Sequence, residues 1–531
     1  MAEKHLLLGD EALALGALHE GLSGVYAYPG TPSTEITEFI HGHQLTRERN
    51  IHCDWSSNEK TAMEAALGAS YAGGRALVCM KHVGMNVCAD AFMGAAMTGA
   101  NGGLVVTACD DPSMHSSQNE QDSRFYADFA MVPCFEPSSQ QETYEMVRYA
   151  FSFSEKWRIP VLMRLTTRMA HSRAVVETGD IQPQNKIHFP ENPRQWVLLP
   201  VNAKVRNAEL IQDNARFADE AEKSPFNQLS EGRNYSMGII ACGIAYNYLM
   251  ENYPDGCPYP VLKVSQYPFP EALARQLAAK TRTLLVLEEG QPLIEKRLKG
   301  VFDSGITVKG RLDGSLPRTG ELSPDCVRMA LGLPERPALA ASEVPVPRPP
   351  ALCQGCGHRD FYTALNAVLK DYPTSRVFSD IGCYTLGWLA PLHAFQTCVE
   401  MGASLTMACG AAHCGVWPSV AVIGDSTFTH SGMTGLLDAV NANADITLCI
   451  SDNLTTGMTG GQDSAGTGRL EAICLGIGVD PAHLRTIVPL PKNYPEMEQT
   501  IREELEYHGV SVIICRRECI QTARRHAAQK K

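Results

Sequence analysis

No apolar run in the 531-residue chain approaches the ~18 residues that a bilayer-spanning helix needs, so no membrane span is expected. The first residues, "MAEKHLLLGDEAL", lack the basic segment, apolar core and cleavage site of a secretory leader. A cytoplasmic location is the expectation. There is no short-period repeat and no low-complexity tract, which excludes a solenoid. A basic surplus is also missing. The net charge of −12 argues against nucleic acid or an anionic membrane as the main partner, while leaving a local basic pocket open. Finally, the chain has one Cys-x-x-Cys pair, Cys353 and Cys356 in "LCQGCGH", and no second pair to complete a zinc ribbon. The 18 cysteines are spread along the chain with no leader. They are expected as thiols or metal ligands rather than disulfides.

What is present is an α/β pattern in successive blocks. At ~150 residues per domain the length allows three or four domains. Residues 1–185 alternate short apolar strands with amphipathic or Ala-rich helices, as in "GVYAYPG", "EKTAMEAALGASYAGG", "RALVCMKH" and "GGLVVTACDDP". Such alternation predicts a parallel sheet with helical crossovers. Residues 186–234 are polar and read as an irregular connector. A second α/β block covers 235–335, a Pro-rich linker 336–352, and a third block 353–531. The expected fold is therefore three doubly wound parallel-sheet domains.

In the third block, "VAVIGDSTFTHSGMTGLLDAVNANADITLCISDNLTTG" reads as one βαβ unit. An apolar strand over 420–424 ends at Asp425, a helix fits 431–443, and a second strand ends at Asn453. Parallel neighbours ~4.8 Å apart place Asp425 and Asn453 side by side at the carboxyl edge, where open α/β sheets bind ligands. One or two side-chain oxygens and a backbone carbonyl, here that of Thr455, suffice for a Mg2+ that keeps substrate phosphates as its other ligands. Taken singly, a Gly-Asp-Ser tripeptide fits a helix cap equally well.

The spacing from Gly424-Asp425-Ser426 to Asn453 resembles the thiamine diphosphate motif, and Asp425, Asn453 and Thr455 fall on its metal-binding positions. "EMGASLTMACG" is similar to the segment in which a large apolar residue props the cofactor into its V shape. That residue is Met401, with Gly402 beside it; Gly382, Gly424 and Ser426 are the other positions expected against the cofactor. A core methionine is the plain alternative for Met401. In the first block, "WSSNEKTAMEAALGASYAGG" places Glu59 in the first turn of a helix, behind a Ser-Ser-Asn cap. By composition alone it is a helix-dipole acid.

From "LLLGDEALALGALHEGL" through "YPGTPSTEI", "SSNEKTAMEAA", "MKHVGMNV", "SDIGCYTLG", "GDSTFTHSG" and "DNLTTGMTGGQ", the chain resembles the large subunits of the indolepyruvate ferredoxin oxidoreductases, within the thiamine diphosphate-dependent 2-oxoacid:ferredoxin oxidoreductases. The resemblance implies that 1–185 binds the pyrimidine, that 235–335 is a transketolase C-terminal-like domain and that 353–531 binds the diphosphate. It makes Glu59 the acid that drives the aminopyrimidine to its imino tautomer, sets Thr31 against the substrate carboxylate, and puts Lys81 or His82 at the mouth of the site. It implies one 4Fe-4S cluster on Cys353, Cys356, Cys383 and Cys519. Cys515, within the apolar run "VSVIIC", is expected as a buried structural thiol. A zinc site on the same four cysteines is the rival, and zinc has no redox role.

The implied activity is oxidative decarboxylation of an arylpyruvate to its acyl-CoA, with coenzyme A as co-substrate. Phenylglyoxylate or another bulky 2-oxoacid is an alternative substrate, and a non-oxidative thiamine decarboxylase an alternative reaction. A silent scaffold subunit is the rival from outside enzymology. The resemblance implies a continuation into a ferredoxin-like domain where the sequence ends in "QTARRHAAQKK", so the expectation is that another subunit carries the relaying clusters or that the acceptor docks at the single cluster. Expected partners are therefore a small catalytic subunit, ferredoxin or another electron acceptor, and a second copy of this chain.

Overall fold

The computed structural model describes residues 3–299, 305–337, 342, 344–346, 348 and 350–529. The chain divides into two compact units, residues 1–339 and 340–531.

The first unit holds two main sheets. The larger runs, in spatial order, Gln266–Tyr267, Cys134–Phe135, Val161–Thr166, Leu104–Asp110, Ala76–Lys81, Gly24–Ala27 and His52–Trp55. Its strands are parallel except for the antiparallel pair Gln266–Tyr267 with Cys134–Phe135. Ala76–Lys81 and Leu104–Asp110 are buried at every position. That is why they read as continuous apolar runs: both faces are covered by helices. The second sheet runs Thr307–Lys309, Thr283–Leu287, Gly238–Cys242, Val261–Val264 and Gln228–Ser230, with only the last strand antiparallel. One continuous apolar core spans both sheets. The strand Gln266–Tyr267 belongs by sequence to the middle block, yet it extends the first sheet.

Residues 186–234 are more regular than their polar composition suggests. They contain the 23-residue helix Pro200–Glu222, with Leu210, Phe217 and Ala221 buried. Its narrow apolar stripe sits within a mostly polar segment, so the 3.6-residue period is faint. Part of the linker expected over 336–352 lies outside the described residues.

The second unit is built on one six-stranded sheet, all parallel: Thr397–Cys398, Arg376–Ser379, Ser419–Gly424, Ile446–Asp452, Val510–Arg516 and Leu484–Ile487. Successive residues of Ser419–Gly424 feed opposite cores. Val420 and Val422 pack with the helices Gly357–Leu369 and Tyr494–Glu506, while Ala421 and Ile423 pack with Ala403–His413 and Met433–Asn441. This two-sided cover defines a doubly wound sheet. Each fully buried Val or Ile contributes ~1.5–3 kcal/mol.

Candidate active site

In the first unit, Thr31, Glu59 and Lys81 follow or end three neighbouring strands, Gly24–Ala27, His52–Trp55 and Ala76–Lys81, so all lie at one carboxyl edge. The helix Glu59–Tyr71 starts where the sequence places it: the Asn58 side chain accepts a hydrogen bond from the Thr61 N–H at 2.8 Å. Glu59 is buried at 5% exposure, and Gly84 closes over it. A Cβ on Gly84 would lie 2.6 Å from the Glu59 Cγ, so any larger residue there would displace the carboxyl. The turn carrying Thr31 rests on Lys81 in the same manner, with Gly30 3.0 Å from the Lys81 Cβ by that measure.

Lys81 donates from Nζ to the Ser116 carbonyl at 2.7 Å. Burial pulls its ammonium down to about 8, against the opposing charge of Asp111. His82 is fully buried, with Nε2 3.2 Å from the Asn119 carbonyl, and its Nδ1 has no hydrogen-bond partner among the described residues. Burial holds its imidazole below the ordinary range. The Asp111–Asn119 loop is a part that motif reading missed. Asp111 ties it down, accepting from the Ser116 N–H at 2.8 Å and from the Ser117 and Thr167 hydroxyls at 2.6 and 2.8 Å.

In the second unit, Ser419–Gly424 pairs with Ile446–Asp452 in the register Gly424↔Ser451, so Asp425 and Asn453 emerge near each other at the carboxyl edge. The helix begins at Asp425 itself and passes through a π-helical segment, Phe428–Gly432, before Met433–Asn441. Single π turns are frequent at functional sites. The Ser426 and Thr456 hydroxyls, 3.0 Å apart, bridge the two strand ends. Leu454 sits at φ +61°, a left-handed conformation unfavourable for a bulky side chain. This turn leaves the Asn453 Oδ1 accepting from the Thr455 N–H at 3.1 Å, while the Thr455 hydroxyl donates to the Gln462 carbonyl at 2.9 Å.

Asp425 is 2% exposed, and its Oδ2 is buried with no hydrogen-bond partner among the described residues. Burial pushes its carboxyl up to about 7, with Asp452 adding repulsion. A buried carboxylate oxygen left open beside an amide oxygen fits a divalent cation.

Met401 is half-buried in the turn ahead of Ala403–His413. Gly402 has φ +94°, and a Cβ there would come within 2.6 Å of the Ser431 Cβ, so the position demands glycine. Asp380, a residue the motif reading passed over, organises this turn. It accepts from the Gly402 N–H at 3.2 Å and the Ser404 hydroxyl at 2.7 Å, and from the Tyr384 hydroxyl. Tyr384 in turn covers Gly382 and Gly424. The signal was in "SDIGC", an acid at a strand end one turn from a cysteine.

Cys353, Cys356, Cys383 and Cys519 line one cavity of about 100 Å3, together with His358, Phe361, Asn453 and Gly457. Burial pushes Cys383 up to about 12, and repulsion from Cys356, Cys519 and Cys353 adds to it. Cys515 reaches the cavity wall from the Val510–Arg516 strand, but its electrostatic neighbours are Cys449 and Asp452. Four thiols around one void form a donor set that fits an iron–sulfur cluster. The Cys356 sulfur also lies 3.4 Å from the Nδ1 of buried His358.

Two parallel-sheet units of this kind are the architecture of thiamine diphosphate enzymes. Residues 16–224 match the family described as "Pyruvate flavodoxin/ferredoxin oxidoreductase, thiamine diP-bdg", and residues 380–515 match "Thiamine pyrophosphate enzyme, C-terminal TPP binding domain". The protein is thus a thiamine diphosphate-dependent oxidoreductase subunit of the 2-oxoacid:ferredoxin class. The indolepyruvate oxidoreductase subunit IorA of Methanothermobacter marburgensis is 39% identical over 98% of this chain and 87% of its own length. That of Archaeoglobus fulgidus is 37% identical over 97% and 86%. The chain belongs to this IorA family. Among solved structures, a 2-oxoglutarate:ferredoxin oxidoreductase from Magnetococcus marinus shares the fold at a TM-score of 0.50 and 15% identity, covering 62% of this chain and 65% of that one. Among the described residues, no helix is long and apolar enough to cross a membrane.

Proposed function

We propose that this chain is the large subunit of an enzyme that oxidatively decarboxylates an arylpyruvate such as indolepyruvate to the acyl-CoA, passing electrons through a 4Fe-4S cluster. The observation that carries this reading is the cysteine-lined cavity, because it shares Asn453 and Gly457 with the turn that follows Asp425's neighbouring strand. A non-oxidative decarboxylase has no use for a redox group there.

Asp425, Asn453 and the Thr455 carbonyl would hold Mg2+ and with it the diphosphate, while Met401, Gly402, Gly382, Gly424 and Ser426 shape the surrounding wall. Cys353, Cys356, Cys383 and Cys519 would hold the cluster. Thiamine diphosphate and the cluster, when bound, supply the nucleophilic carbon, the electron sink and the one-electron acceptor. Glu59, buried and fixed in position by Gly84, would present its carboxyl to the pyrimidine as the acid–base group. Thr31 donates its hydroxyl to the 2-oxoacid carboxylate. The Lys81 ammonium and His82 complement that anion from the adjacent strand end. A small catalytic partner subunit, ferredoxin or a similar acceptor, and a second copy of this chain complete the proposed assembly.

The test is an anaerobic assay of the complex against a panel of 2-oxoacids, with coenzyme A and several acceptors. Indolepyruvate is expected to give acyl-CoA and reduced acceptor. Release of aldehyde without acceptor reduction would replace the reading with non-oxidative decarboxylation. Glu59→Gln is expected to lower turnover by ~10² or more, the scale of a positioned acid–base group.

A further inference from the structure

We propose that Asp10, Glu35 and His171 bind a first-row divalent transition-metal ion where three segments of the first unit converge. One ligand atom from each residue lies within 4.8 Å of the other two, and the His171 Nε2 is 3.4 Å from the Glu35 Oε1. The ligand atoms around a tetrahedral ion, at ~2.0–2.2 Å from it, are ~3.3–3.6 Å apart, so the set would close by up to about 1 Å on binding.

The three residues come from the helix Gly9–His19, the helix Thr34–Gly42 and the short helix Thr167–His171. Gly9 explains the convergence. A Cβ there would fall 2.1 Å from the Met169 carbonyl oxygen, so glycine alone lets the first helix start against the segment that ends in His171.

An independent observation points to a ligand. Asp10 is 0% exposed, and neither of its carboxylate oxygens has a hydrogen-bond partner among the described residues; the same is true of the buried Glu35 Oε2. The charges that reach Asp10 are those of Glu35 and Glu11, and both repel the ionised form. A buried carboxylate stripped of water and facing another acid needs either a proton or a cation. Two carboxylates and an imidazole are the donor set that manganese, iron and zinc accept. His171 is one-third exposed and leaves an entry path. Glu35 lies just past the turn that carries Thr31, so a bound ion would pin that turn.

The probe is Mn2+, which thiolates bind poorly. It is titrated into the chelator-treated full chain without thiamine diphosphate, following the electron paramagnetic resonance signal of free Mn2+. About one ion per chain is expected to bind and to raise the thermal midpoint. Binding is expected to be lost in His171→Gln and in Asp10→Asn but kept in Asp425→Asn. His171 is accessible, so that variant decides the matter even if Asp10→Asn misfolds. No uptake at ~1 mM Mn2+, or equal uptake in wild type and His171→Gln, overturns the site and leaves a shared proton between Asp10 and Glu35. None of these readouts depends on catalysis, so the outcome is independent of the activity proposed above.

Discussion

Cys383 and Asn453 meet across Gly457: a methyl group on that glycine would lie 3.4 Å from the cysteine sulfur and 3.5 Å from the asparagine amide nitrogen. A proposed cluster ligand and a proposed Mg2+ ligand therefore approach the same glycine from two segments, and Cys519 joins them through its N–H, which donates to the Asn453 carbonyl at 3.0 Å. Electrons leaving a cofactor held at Asn453 would have no intervening element to cross.

Cysteine substitutions separate ligands from bystanders. Protein prepared without oxygen is expected to hold about four irons per chain, and Cys383→Ser or Cys519→Ser to bring this below about one. Cys515→Ser is expected to keep the iron, because that thiol is buried in the strand Val510–Arg516 and its electrostatic neighbours are Cys449 and Asp452, not the other cavity thiols. Iron analysis with visible absorption decides between them. Full iron in Cys519→Ser with loss in Cys515→Ser would exchange the two roles.

Asp425→Asn removes the charge while keeping the shape. Burial and Asp452 already disfavour the ionised carboxylate without a cation. The variant's thermal midpoint without cofactor is thus expected to equal or exceed that of wild type. Its Mg2+–thiamine diphosphate affinity, by titration calorimetry, is expected to fall at least ~100-fold, or ~2.7 kcal/mol. Undiminished affinity would remove Asp425 from the metal site.

Lys81 sets a pH dependence. Its ammonium is charged below about 8 and neutral above, since burial lowers its affinity for a proton. The KM for a 2-oxoacid anion is therefore expected to rise as pH passes through about 8, with kcat changing less. In Lys81→Met the KM should be higher by on the order of tenfold and lack that inflection. Stability moves the opposite way: the unfolded lysine titrates near ~10.4, so the penalty for a buried charge is present below about 8 and relieved as pH rises toward that value. A wild-type KM that is flat from pH 7 to 9 would dismiss Lys81 as the anion's partner.

Much of this was legible from strand ends. Asp425 and Asn453 each follow an apolar run, and period and burial place such residues at a sheet's carboxyl edge; Glu59 was marked by its Ser-Ser-Asn cap and Lys81 only by resemblance. What was illegible depended on contacts between distant segments. Asp380 gains its role from Gly402 and Ser404, and Asp10 is brought together with Glu35 and His171; neither relation has a sequence spacing. The helix Pro200–Glu222 was hidden by polarity, since only a few of its residues are buried. Strand Gln266–Tyr267 was too short to announce that it would join the first sheet.

A buried charge network knits the two sheets of the first unit. Arg164 is fully buried in Val161–Thr166 and pairs with Asp110 at 2.6 Å and Asp122 at 3.5 Å, and with Glu136, while Arg124 meets Asp122 and, at 3.1 Å, Glu288 of the second sheet's connection. Arg311 and Glu289 extend the network. Removing one partner of a buried ion set strands the others in low dielectric, at a loss of ~3–5 kcal/mol. Arg164→Met is expected to lose about that much in denaturant unfolding. Burial already raises the Asp110 carboxyl above its ordinary range, even with Arg164 beside it. Without the arginine it would rise further, so the deficit should be largest at high pH and shrink as falling pH protonates Asp110. A deficit that is independent of pH would locate the loss in packing rather than in the stranded carboxylates.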